Sequence, residues 1–355
     1  MPDSIIEIDG SLGEGGGQIL RSSLTLSILT GKPFRITKIR ANRKKPGLKA
    51  QHIVAVDASA VISRAQVRGS SLQSQVLQFV PGNINSGRYR FDIQTAGSTS
   101  LVFQTITLPL AFAKSASSVT ITGGTHVPWA PCFDYINFIW LPYLERIGIY
   151  NTISLELAGF YPQGGGRVTS TIRPSSELSP LSLVKRGELV GLFGISAVAN
   201  LDLNIAARQK TRALKRLREF DPQMKISTVQ LPSRTKGTIL FIVANFSNDG
   251  KGYAHCAFYS LGAPGKPAEQ VADDAVDEFI KFYQSPGVLD KYIVDQLMLP
   301  LSFAAGVSEI STAEITSHVT TNAEVINSFG VADINITGEI GRPGLIQITP
   351  AVTRQ

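Results

Sequence analysis

A glycine-rich run close to the start of the chain is the first segment whose composition could support chemistry. It reads Gly10-Ser11-Leu12-Gly13-Glu14-Gly15-Gly16-Gly17-Gln18 and lies between a strand-like and a helix-like segment. Backbone N–H groups at the start of a helix bind phosphates well. No Gly-Lys-Ser/Thr follows, so the run is not a P-loop, and Glu14 would repel a pyrophosphate unless a divalent cation lay between them. The run therefore predicts either a phosphate loop with a metal held by Glu14, or a tight turn whose glycines need positive φ.

Basic and amide side chains follow the glycine run at spacings that could converge on a phosphate. Arg21 lies one helical turn after the end of the run, on the face that the run opens. A basic loop, Arg40–Gly47, follows a strand-like segment and leads to Gln51 and His52 on a second predicted helix. Arginines recognise phosphate through a rigid planar fork, so two or three of them here would suit a terminal phosphate. A solvated loop explains the lysines of this segment equally well.

His318 stands out among the four histidines because of its neighbours. It lies in Thr316-Ser317-His318-Val319-Thr320-Thr321-Asn322, between a predicted strand and a predicted helix. A lone histidine at such a junction usually has a structural role, and the residue types alone do not decide the matter. The sequence contains no Gly-x-Ser-x-Gly, His-Glu-x-x-His or Asp-x-Asp-x-Asp-Gly motif, so it offers no support for a hydrolase elbow, a zinc protease or an EF-hand.

The elements that must position these residues recur along the chain. Stretches 5–79, 89–172 and 295–348 share one order of strand-like and helix-like periodicities, although the third opens directly on a helix over Asp295–Ala304. The segment Leu108–Ala113 nearly repeats in Leu299–Ala304, and in that register Gln104 aligns with Asp295. A repeated unit whose helices cover one face of small mixed sheets predicts an α/β, layered α+β fold.

Residues 182–282 interrupt the series of repeats. They follow the proline- and serine-rich segment Pro174–Pro180 and show the order strand, helix, three strands, helix. This pattern predicts a small α/β domain inserted into a larger one, which would comprise residues 1–181 and 283–355.

Composition limits the class of protein. With 355 residues, 43% apolar and 17% charged, the chain is long enough for two domains and can bury a substantial core. Its net charge of +7 and pI of about 9.4 favour polyanionic partners, although an ordinary basic protein would look the same. Only Cys132 and Cys256 are present, the first residues do not read as a signal peptide, and the apolar stretch Leu101–Ala113 is too short to span a bilayer. A cytoplasmic protein without a membrane segment is therefore expected.

Taken together, the motifs closely resemble those of the RNA 3′-terminal phosphate cyclases. The matching positions run in order from residue 5 to about residue 325, and the inserted segment matches less well. They include Gly13–Arg21, Arg40-Ala41 with Arg43 and Lys45–Leu48, Gln51-His52, Thr95–Ser98, Gln104, Thr122–Thr125, Ala130-Pro131, Gly159–Pro162, Gly164–Gly166, Asp295–Leu297 and His318 with Thr321-Asn322.

The resemblance implies a fold and a reaction. The fold would contain three βαβαββ repeats like the C-terminal domain of translation initiation factor 3, with the smaller α/β insert. In the implied reaction, His318 attacks the α-phosphate of ATP, the adenylate passes to an RNA 3′-phosphate, and the 2′-hydroxyl then closes a 2′,3′-cyclic phosphate and releases AMP. AMP supplies the leaving group that a phosphate dianion lacks.

The resemblance also implies roles for individual residues. His318 would be the nucleophile, and Glu14 would hold Mg²⁺ or Mn²⁺. The adenosine pocket would be formed by Gln104, Pro131, Tyr292, Asp295 and Gln296. The phosphates of ATP or of the RNA 3′ end would be bound by Arg21, Arg40, Arg43, Gln51 and His52. The residues of the insert, and not the resemblance, predict that it assists RNA docking and is not part of the adenylation centre. Its predicted helix over Ile205–Glu219 carries six basic residues, namely Arg208, Lys210, Arg212, Lys215, Arg216 and Arg218.

Two other classes of protein remain open at this point. One is a non-catalytic ribosome-assembly relative of the cyclases, which would lack the nucleophilic histidine. The other is a small-molecule transferase of the enolpyruvyl type, whose architecture is also repetitive but whose chemistry needs no adenylate. The presence of His318, Glu14 and Arg43 together favours the enzyme over the first, and His318 with Asp295-Gln296 argues against the second. The sequence does not indicate the oligomeric state.

Overall fold

The computed structural model of the chain describes residues 5–248 and 253–351, and it contains four four-stranded sheets with helices packed on them. The predicted α/β class is confirmed. The first group of elements is β1 (Ile6–Asp9), α1 (Gly17–Thr30), β2 (Phe34–Thr37), α2 (Ala50–Ser63), β3 (Gln66–Arg68) and β4 (Leu77–Val80). The sheet order is β1-β2-β4-β3, with β1 and β2 parallel and the other neighbours antiparallel.

The second sheet repeats this arrangement. Its elements are β5 (Arg88–Asp92), α3 (Thr99–Ala111), β6 (Ser117–Gly123), α4 (Phe133–Tyr135), α5 (Leu141–Arg146), β7 (Asn151–Leu157) and β8 (Gly166–Ile172). The order is β5-β6-β8-β7, again with one parallel pair followed by two antiparallel pairs. The apolar periodicity predicts one continuous helix over Phe133–Ile147, whereas the structure has a π-helical segment, Ile136–Trp140, between α4 and α5. Periodicity does not reveal this widening because both helix types continue the same buried face.

A two-residue strand, β9 (Ser182–Leu183), comes next and is followed by a separate sheet. The elements of that sheet are β10 (Leu189–Ala199), α6 (Leu203–Leu217), β11 (Lys225–Gln230), β12 (Gly237–Ser247), β13 (Tyr253–Leu261) and α7 (Ala268–Tyr283). Its order is β11-β10-β12-β13, which differs from that of the first two sheets. Helices α6 and α7 pack on each other and on its strands.

The third sheet is completed after this interruption. Its remaining elements are α8 (Ile293–Leu301), β14 (Ser308–Thr312), α9 (Ser317–Phe329), β15 (Ala332–Thr337) and β16 (Gly344–Pro350). Strand β9 pairs in parallel with β14, and the order β9-β14-β16-β15 matches that of the first two sheets. The sequence pattern misses β9 because two residues are too few to show a period of two. Residues 182 and 183, which the sequence places in the insert, therefore pair with the third sheet.

Helix packing brings distant parts of the chain together. Helix α1 packs against α2, α3 and α9, while α8 packs against α9 and α5. One continuous apolar core runs through these helices and includes Leu24, Phe103, Leu297 and Phe329, each almost fully buried. Burial of this kind contributes roughly 25 cal/mol per Å² of apolar surface. The starts of α1 and α9 are held side by side as a result. No helix in the described part of the chain is long and apolar enough to cross a membrane.

Candidate active site

The glycine run lies against the start of α9. Gly13 and Gly15 have φ values of 53° and 56°, a conformation that side-chain-bearing residues seldom adopt. A Cβ at Gly13 would collide with Oγ1 of Thr321, and one at Gly16 would lie 3.9 Å from Cε1 of His318. The glycines therefore permit the tight turn and also the close approach of α9.

Helix α9 carries His318 in its first turn. Thr316 caps the helix by accepting a hydrogen bond from Val319 N at 3.3 Å, and Gly330 ends it with a φ of 66°. The cap fixes the direction of the first turn, so the His318 side chain lies over the glycine run. That side chain remains 46% exposed, and its Nε2 lies 3.7 Å from Oε2 of Glu14.

Glu14 is the centre of a small charged cluster. Its carboxylate accepts a hydrogen bond from the Ser317 hydroxyl and, at 3.0 Å, from Nη2 of Arg43. The Ser317 hydrogen bond, assisted by the charges of His318 and Arg43, lowers the pKa of Glu14 below its usual value. Glu14 is therefore ionised at neutral pH and joins residues of the first and third sheets.

These contacts bear on the metal that the sequence assigns to Glu14. Within residues 5–248 and 253–351, no three histidine, cysteine or acidic side chains are grouped closely enough to hold a metal ion. Glu14 supplies one carboxylate, and the Arg43 cation already neighbours it. This donor set does not fit a resident metal site. It does suit an ion that arrives on a triphosphate, keeps several waters and takes one protein carboxylate, as Mg²⁺ commonly does.

The two arginines of the basic loop differ in their surroundings. Arg43 is exposed and extends towards Glu14. Arg40 is buried and donates from Nη1 to the carbonyl oxygens of Lys45 and Gly47, at 3.0 and 2.8 Å. Arg40 therefore holds the loop in shape, whereas Arg43 presents its guanidinium to the site. The spacing in the sequence does not distinguish these two environments.

His52 and Arg21 lie on the other side of the glycine run. A Cβ at Gly17 would collide with Nε2 of His52 and would lie 3.0 Å from Nη1 of Arg21. Burial, together with the neighbouring cations, lowers the pKa of His52 to about 3, and burial lowers that of Arg21 to about 10. Since Nδ1 of His52 accepts from Lys49 N at 3.1 Å, neutral His52 carries its proton on Nε2, which points to the run.

Asp295 connects α8 to helices α1 and α9. Its Oδ2 accepts a hydrogen bond from Gln18 Nε2 at 2.7 Å, and its backbone carbonyl accepts one from Asn322 Nδ2 at 2.8 Å. Asn322 in turn accepts from the Ser22 hydroxyl at 2.6 Å. Burial raises the pKa of Asp295 to about 6, against the opposing effects of His318, Gln18 and Arg21.

The remaining predicted adenosine residues lie around α3 and α8. Gln104 Nε2 donates to Gln296 Oε1 at 2.5 Å, and Gln296 Nε2 donates to the carbonyl of Tyr292 at 2.6 Å. The Tyr292 ring is 44% exposed. Pro131 lies in a different loop and follows Ala130, whose carbonyl accepts a hydrogen bond from the Tyr259 hydroxyl at 3.0 Å. The structure therefore joins Gln104, Gln296 and Tyr292 through hydrogen bonds but shows no direct bond from them to Pro131.

Gln51 forms a link to the second sheet. Its Oε1 accepts from the backbone N–H of Ser98 at 3.0 Å, just before α3, so this oxygen is occupied. A Cβ at Gly97 would lie 2.8 Å from Cβ of Gln51, which shows how closely α2 approaches this turn. Gln51 thus positions the second sheet against the first.

Several contributors to the site carry no distinctive sequence signal. In the sequence Ser317 and Asn322 are only neighbours of His318, but in the structure they hold Glu14 and Asp295. The sequence does not indicate a role for Asp290, which is 2% exposed and accepts from the Tyr135 hydroxyl at 2.7 Å and from Tyr292 N at 2.9 Å. Burial raises its pKa to about 6. An isolated aspartate ahead of a helix resembles an ordinary cap, so only its tertiary partners reveal that it anchors Tyr292.

The basic helix of the insert does not form the free cationic face that the sequence predicts. Three of its arginines form ion pairs with acidic residues of α7, at 2.7 to 2.9 Å. The pairs are Arg208 with Glu269, Arg212 with Asp273, and Arg216 with Asp273 and Asp277. The arginines and their partners are separated by 57 to 61 residues along the chain, and this spacing does not show that α6 and α7 lie side by side. The expectation of RNA docking through this helix therefore loses its main support.

Comparisons with known proteins agree on one family. A family described as "RNA 3'-terminal phosphate cyclase" matches residues 12–336. Relatives with that same name include a protein from Thermococcus gammatolerans, 42% identical over 344 residues that cover 97% of each chain. Another, from Nostoc punctiforme, is 41% identical over 339 residues, which cover 94% of this chain and 96% of that protein. A solved EPSP synthase from Acinetobacter baumannii covers 98% of this chain and 65% of that one at 10% identity, and its TM-score of 0.29 is too low to carry an argument.

Proposed function

Because this chain belongs to the RNA 3′-terminal phosphate cyclase family, we propose that it converts an RNA 3′-phosphate into a 2′,3′-cyclic phosphodiester at the expense of ATP. First, a ring nitrogen of His318 attacks the α-phosphorus, a P–N bond forms and pyrophosphate departs. The terminal phosphate of the RNA then attacks the same phosphorus and breaks that P–N bond. Finally the 2′-hydroxyl oxygen attacks the 3′-phosphorus, AMP departs, and the hydroxyl proton passes to solvent.

The position of His318 is the observation that carries this proposal. Its side chain is half exposed and lies against the glycine run at the start of α1, where backbone N–H groups favour phosphate. Arg43 and Arg21 lie on either side of the run and can take up charge on the departing pyrophosphate. A nucleophile, a phosphate-binding turn and two cations thus meet at one point.

The adenosine would lie over the start of α8. Gln104, Asp295 and Gln296 offer amide and carboxylate groups to ribose hydroxyls, and the half-exposed ring of Tyr292 offers a face for the base. We propose Pro131 as the apolar wall on the other side of the base. Hydrogen bonds join Gln104 to Gln296 and Gln296 to Tyr292 before the nucleotide binds, which reduces the entropic cost of binding.

Mg²⁺ or Mn²⁺ would enter as a complex with ATP, with Glu14 as its protein ligand. The ion would supply charge neutralisation on the triphosphate. Glu14 would have to exchange its contact with Arg43 for this role, and Ser317 would keep the carboxylate oriented.

The RNA 3′-phosphate would bind beside the same run. His52 is neutral and can donate from Nε2, and Arg21 and Arg43 supply positive charge. We assign Arg40 and Gln51 supporting roles, since their polar atoms already bond to the loop carbonyls and to Ser98.

The domain division also stays a proposal. We propose that residues 1–181 and 283–355 form a catalytic unit. Strand β9 also belongs to this unit, and the other residues of 182–282 are inserted in it. The identical order of three sheets supports an internal repeat, and the likeness to the initiation factor 3 domain stays a prediction. So does the cytoplasmic location.

Labelling with ATP tests the function directly. Protein incubated with α-labelled ATP should retain label, and an RNA with a 3′-phosphate should then be cyclised. A non-catalytic ribosome-assembly protein or an enolpyruvyl-type transferase would retain none. Absence of stable label in a folded, ATP-binding preparation would refute the proposal.

A further inference from the structure

We propose that Trp129, Tyr161, Arg234 and Lys236 form an RNA-binding surface, called here the junction surface, that holds the nucleotides preceding the reacting 3′ end. This inference rests on the proposed function, because it assumes an RNA substrate. It concerns the part of the RNA that lies outside the adenylation site.

Trp129 is presented to solvent by a firmly held loop. Its side chain is 99% exposed, and its φ of 66° is uncommon for a bulky residue and persists only where surrounding contacts fix the backbone. Here Phe133 N donates to Thr125 O at 2.9 Å, and His126 Nε2 lies 3.0 Å from Oδ2 of Asp134. A fully exposed tryptophan on a fixed loop offers a rigid aromatic face at low entropic cost.

Tyr161 lies on a neighbouring loop that is joined to the first one. His126 stacks on Phe160 with ring centroids 5.0 Å apart, and its backbone N–H donates to Gly159 O at 3.1 Å. Tyr161 follows directly and is 68% exposed. Two exposed aromatic side chains are therefore carried by two loops that are fastened together.

The insert adds two cations to the same place. Its β11–β12 turn docks on this loop: Ser233 Oγ donates to Ala158 O at 2.8 Å, and Phe160 N donates to Thr235 Oγ1 at 3.0 Å. Arg234 and Lys236 alternate with these docked residues and are exposed. Among the described residues, neither has a carboxylate partner. The arginines of α6, by contrast, are paired with α7, so this turn is the better candidate for contact between the insert and RNA.

Close packing connects the loop that carries Tyr161 to the active site. Gly164, with a φ of 73°, allows the Tyr161 loop to approach Ala96, since a Cβ there would lie 2.7 Å from Cα of Ala96. The next residue, Gly97, packs on Gln51, which precedes His52 beside the glycine run. RNA whose 3′-phosphate lies at this run could thus extend over the junction surface.

The chemistry of the four side chains matches single-stranded RNA. Proteins bind single strands by stacking bases on aromatic side chains and by placing cations along the phosphate backbone. This mode of binding does not require a particular base sequence. The 3′ end must be single-stranded near the reaction, because its 2′-hydroxyl and phosphate both have to enter the site.

The test compares RNA binding with self-adenylation in the full-length protein. Trp129→Ala should weaken binding of a single-stranded RNA with a 3′-phosphate by about 5- to 150-fold, the range that one stacked base spans. It should raise KM for RNA and leave labelling by α-labelled ATP unchanged. Arg234→Ala with Lys236→Ala should reduce the slope of log Kd against log salt by about 1.4, or 0.7 for each phosphate contact. The controls are Tyr150→Ala and Lys215→Ala, an exposed tyrosine and an exposed lysine located elsewhere.

Each outcome decides one question. If the variants label normally but bind RNA like the wild type, the junction surface is wrong and the proposed function stands. If the wild type takes no label, the proposed function fails, whatever the variants do. If the two controls weaken RNA binding as much as the variants do, binding is diffuse and the junction surface is again wrong. RNA should also quench the tryptophan fluorescence of the protein. The change would report on Trp129, because the second tryptophan, Trp140, is buried.

Discussion

The Nε2 atom of His318 lies 3.7 Å from Oε2 of Glu14, across the contact between the third and first sheets. Glu14 belongs to the turn before α1, and His318 opens α9, which packs on α1. The approach depends on Gly13, where Thr321 leaves no room for a Cβ. The proposed nucleophile and the proposed phosphate loop therefore come from opposite ends of the chain, and the site is complete only when the first and third sheets have docked.

His318→Ala should abolish self-labelling by α-labelled ATP. The imidazole is the atom group that forms the proposed P–N bond, and alanine has no replacement for it. The wild-type label should come from the α-phosphate and not the γ-phosphate. It should survive alkali and be lost in mild acid, as expected of a phosphoramidate. Acid treatment followed by autoradiography measures both properties.

The control for this experiment follows from the structure. His126 is a poor control, because its ring is 1% exposed, pairs with Asp134 and stacks on Phe160, so its removal would disturb the fold. His255→Asn is better, since among the described residues the His255 ring hydrogen-bonds only Asn245, and His255 lies on β13 of the separate sheet. It should label like the wild type. A His318→Ala protein that still labels and still cyclises RNA would overturn the mechanism.

Glu14→Ala should raise the metal concentration needed for half-maximal labelling. The carboxylate is the only protein ligand that we assign to the ion carried by ATP, and its loss leaves only phosphates and water to hold the ion. The matched control is Glu7→Ala, an exposed carboxylate on β1 that pairs with Arg35. Titration of Mg²⁺ and Mn²⁺ at fixed ATP measures the effect. An unchanged midpoint for Glu14→Ala would remove this residue from metal binding.

Sequence reasoning located the elements of the site better than it assigned the role of each side chain. Glycine spacing and apolar periodicity place the glycine run, His318 and Asp295 correctly on turns and helix starts, because these are local features. Arg40 and Arg43 look equivalent in sequence, yet Arg40 is buried against loop carbonyls and Arg43 is exposed and paired with Glu14. That difference arises from the path of the loop through space, which spacing along the chain does not encode.

The insert illustrates the same limit in another way. Alternating basic residues on α6 suggest a nucleic-acid surface, but charge patterning on one helix says nothing about the helix beside it. Asp273 accepts from both Arg212 and Arg216 and so pairs with part of the face that appeared free. The strand β9 was missed for a similar reason, since its partner β14 lies beyond the insert. A local sequence pattern does not show which distant residues or strands pair with one another.

Arg43→Ala should slow cyclisation by about 10- to 150-fold, which corresponds to the loss of one charge-assisted contact worth about 1.5–3 kcal/mol. Lys44→Ala is the matched control, one residue away in the same exposed loop, and should have little effect. Arg40→Ala should behave differently from both. Two loop carbonyls would lose their donor, so the melting temperature should fall together with the activity. Similar small effects of all three substitutions on cyclisation would indicate a purely solvated loop.

His52 should make folding stability depend on pH below neutrality. Burial lowers its folded-state pKa to about 3, whereas an unfolded histidine titrates near 6.5. Between these values the unfolded chain binds the extra proton, so the contribution of His52 to stability is present above about pH 6.5 and is lost as the pH falls towards 3. From pH 7 to pH 5 the expected loss is about 2 kcal/mol.

Urea unfolding at both pH values should show this loss in the wild type and a correspondingly smaller loss in His52→Gln, which keeps a polar side chain but does not titrate. His255→Gln serves as the comparison, because the His255 ring is less buried than the His52 ring and should contribute less to the loss of stability. Equal losses in the wild type and His52→Gln would mean that His52 is protonated without penalty, and its assignment as a neutral Nε2 donor beside the glycine run would then be wrong.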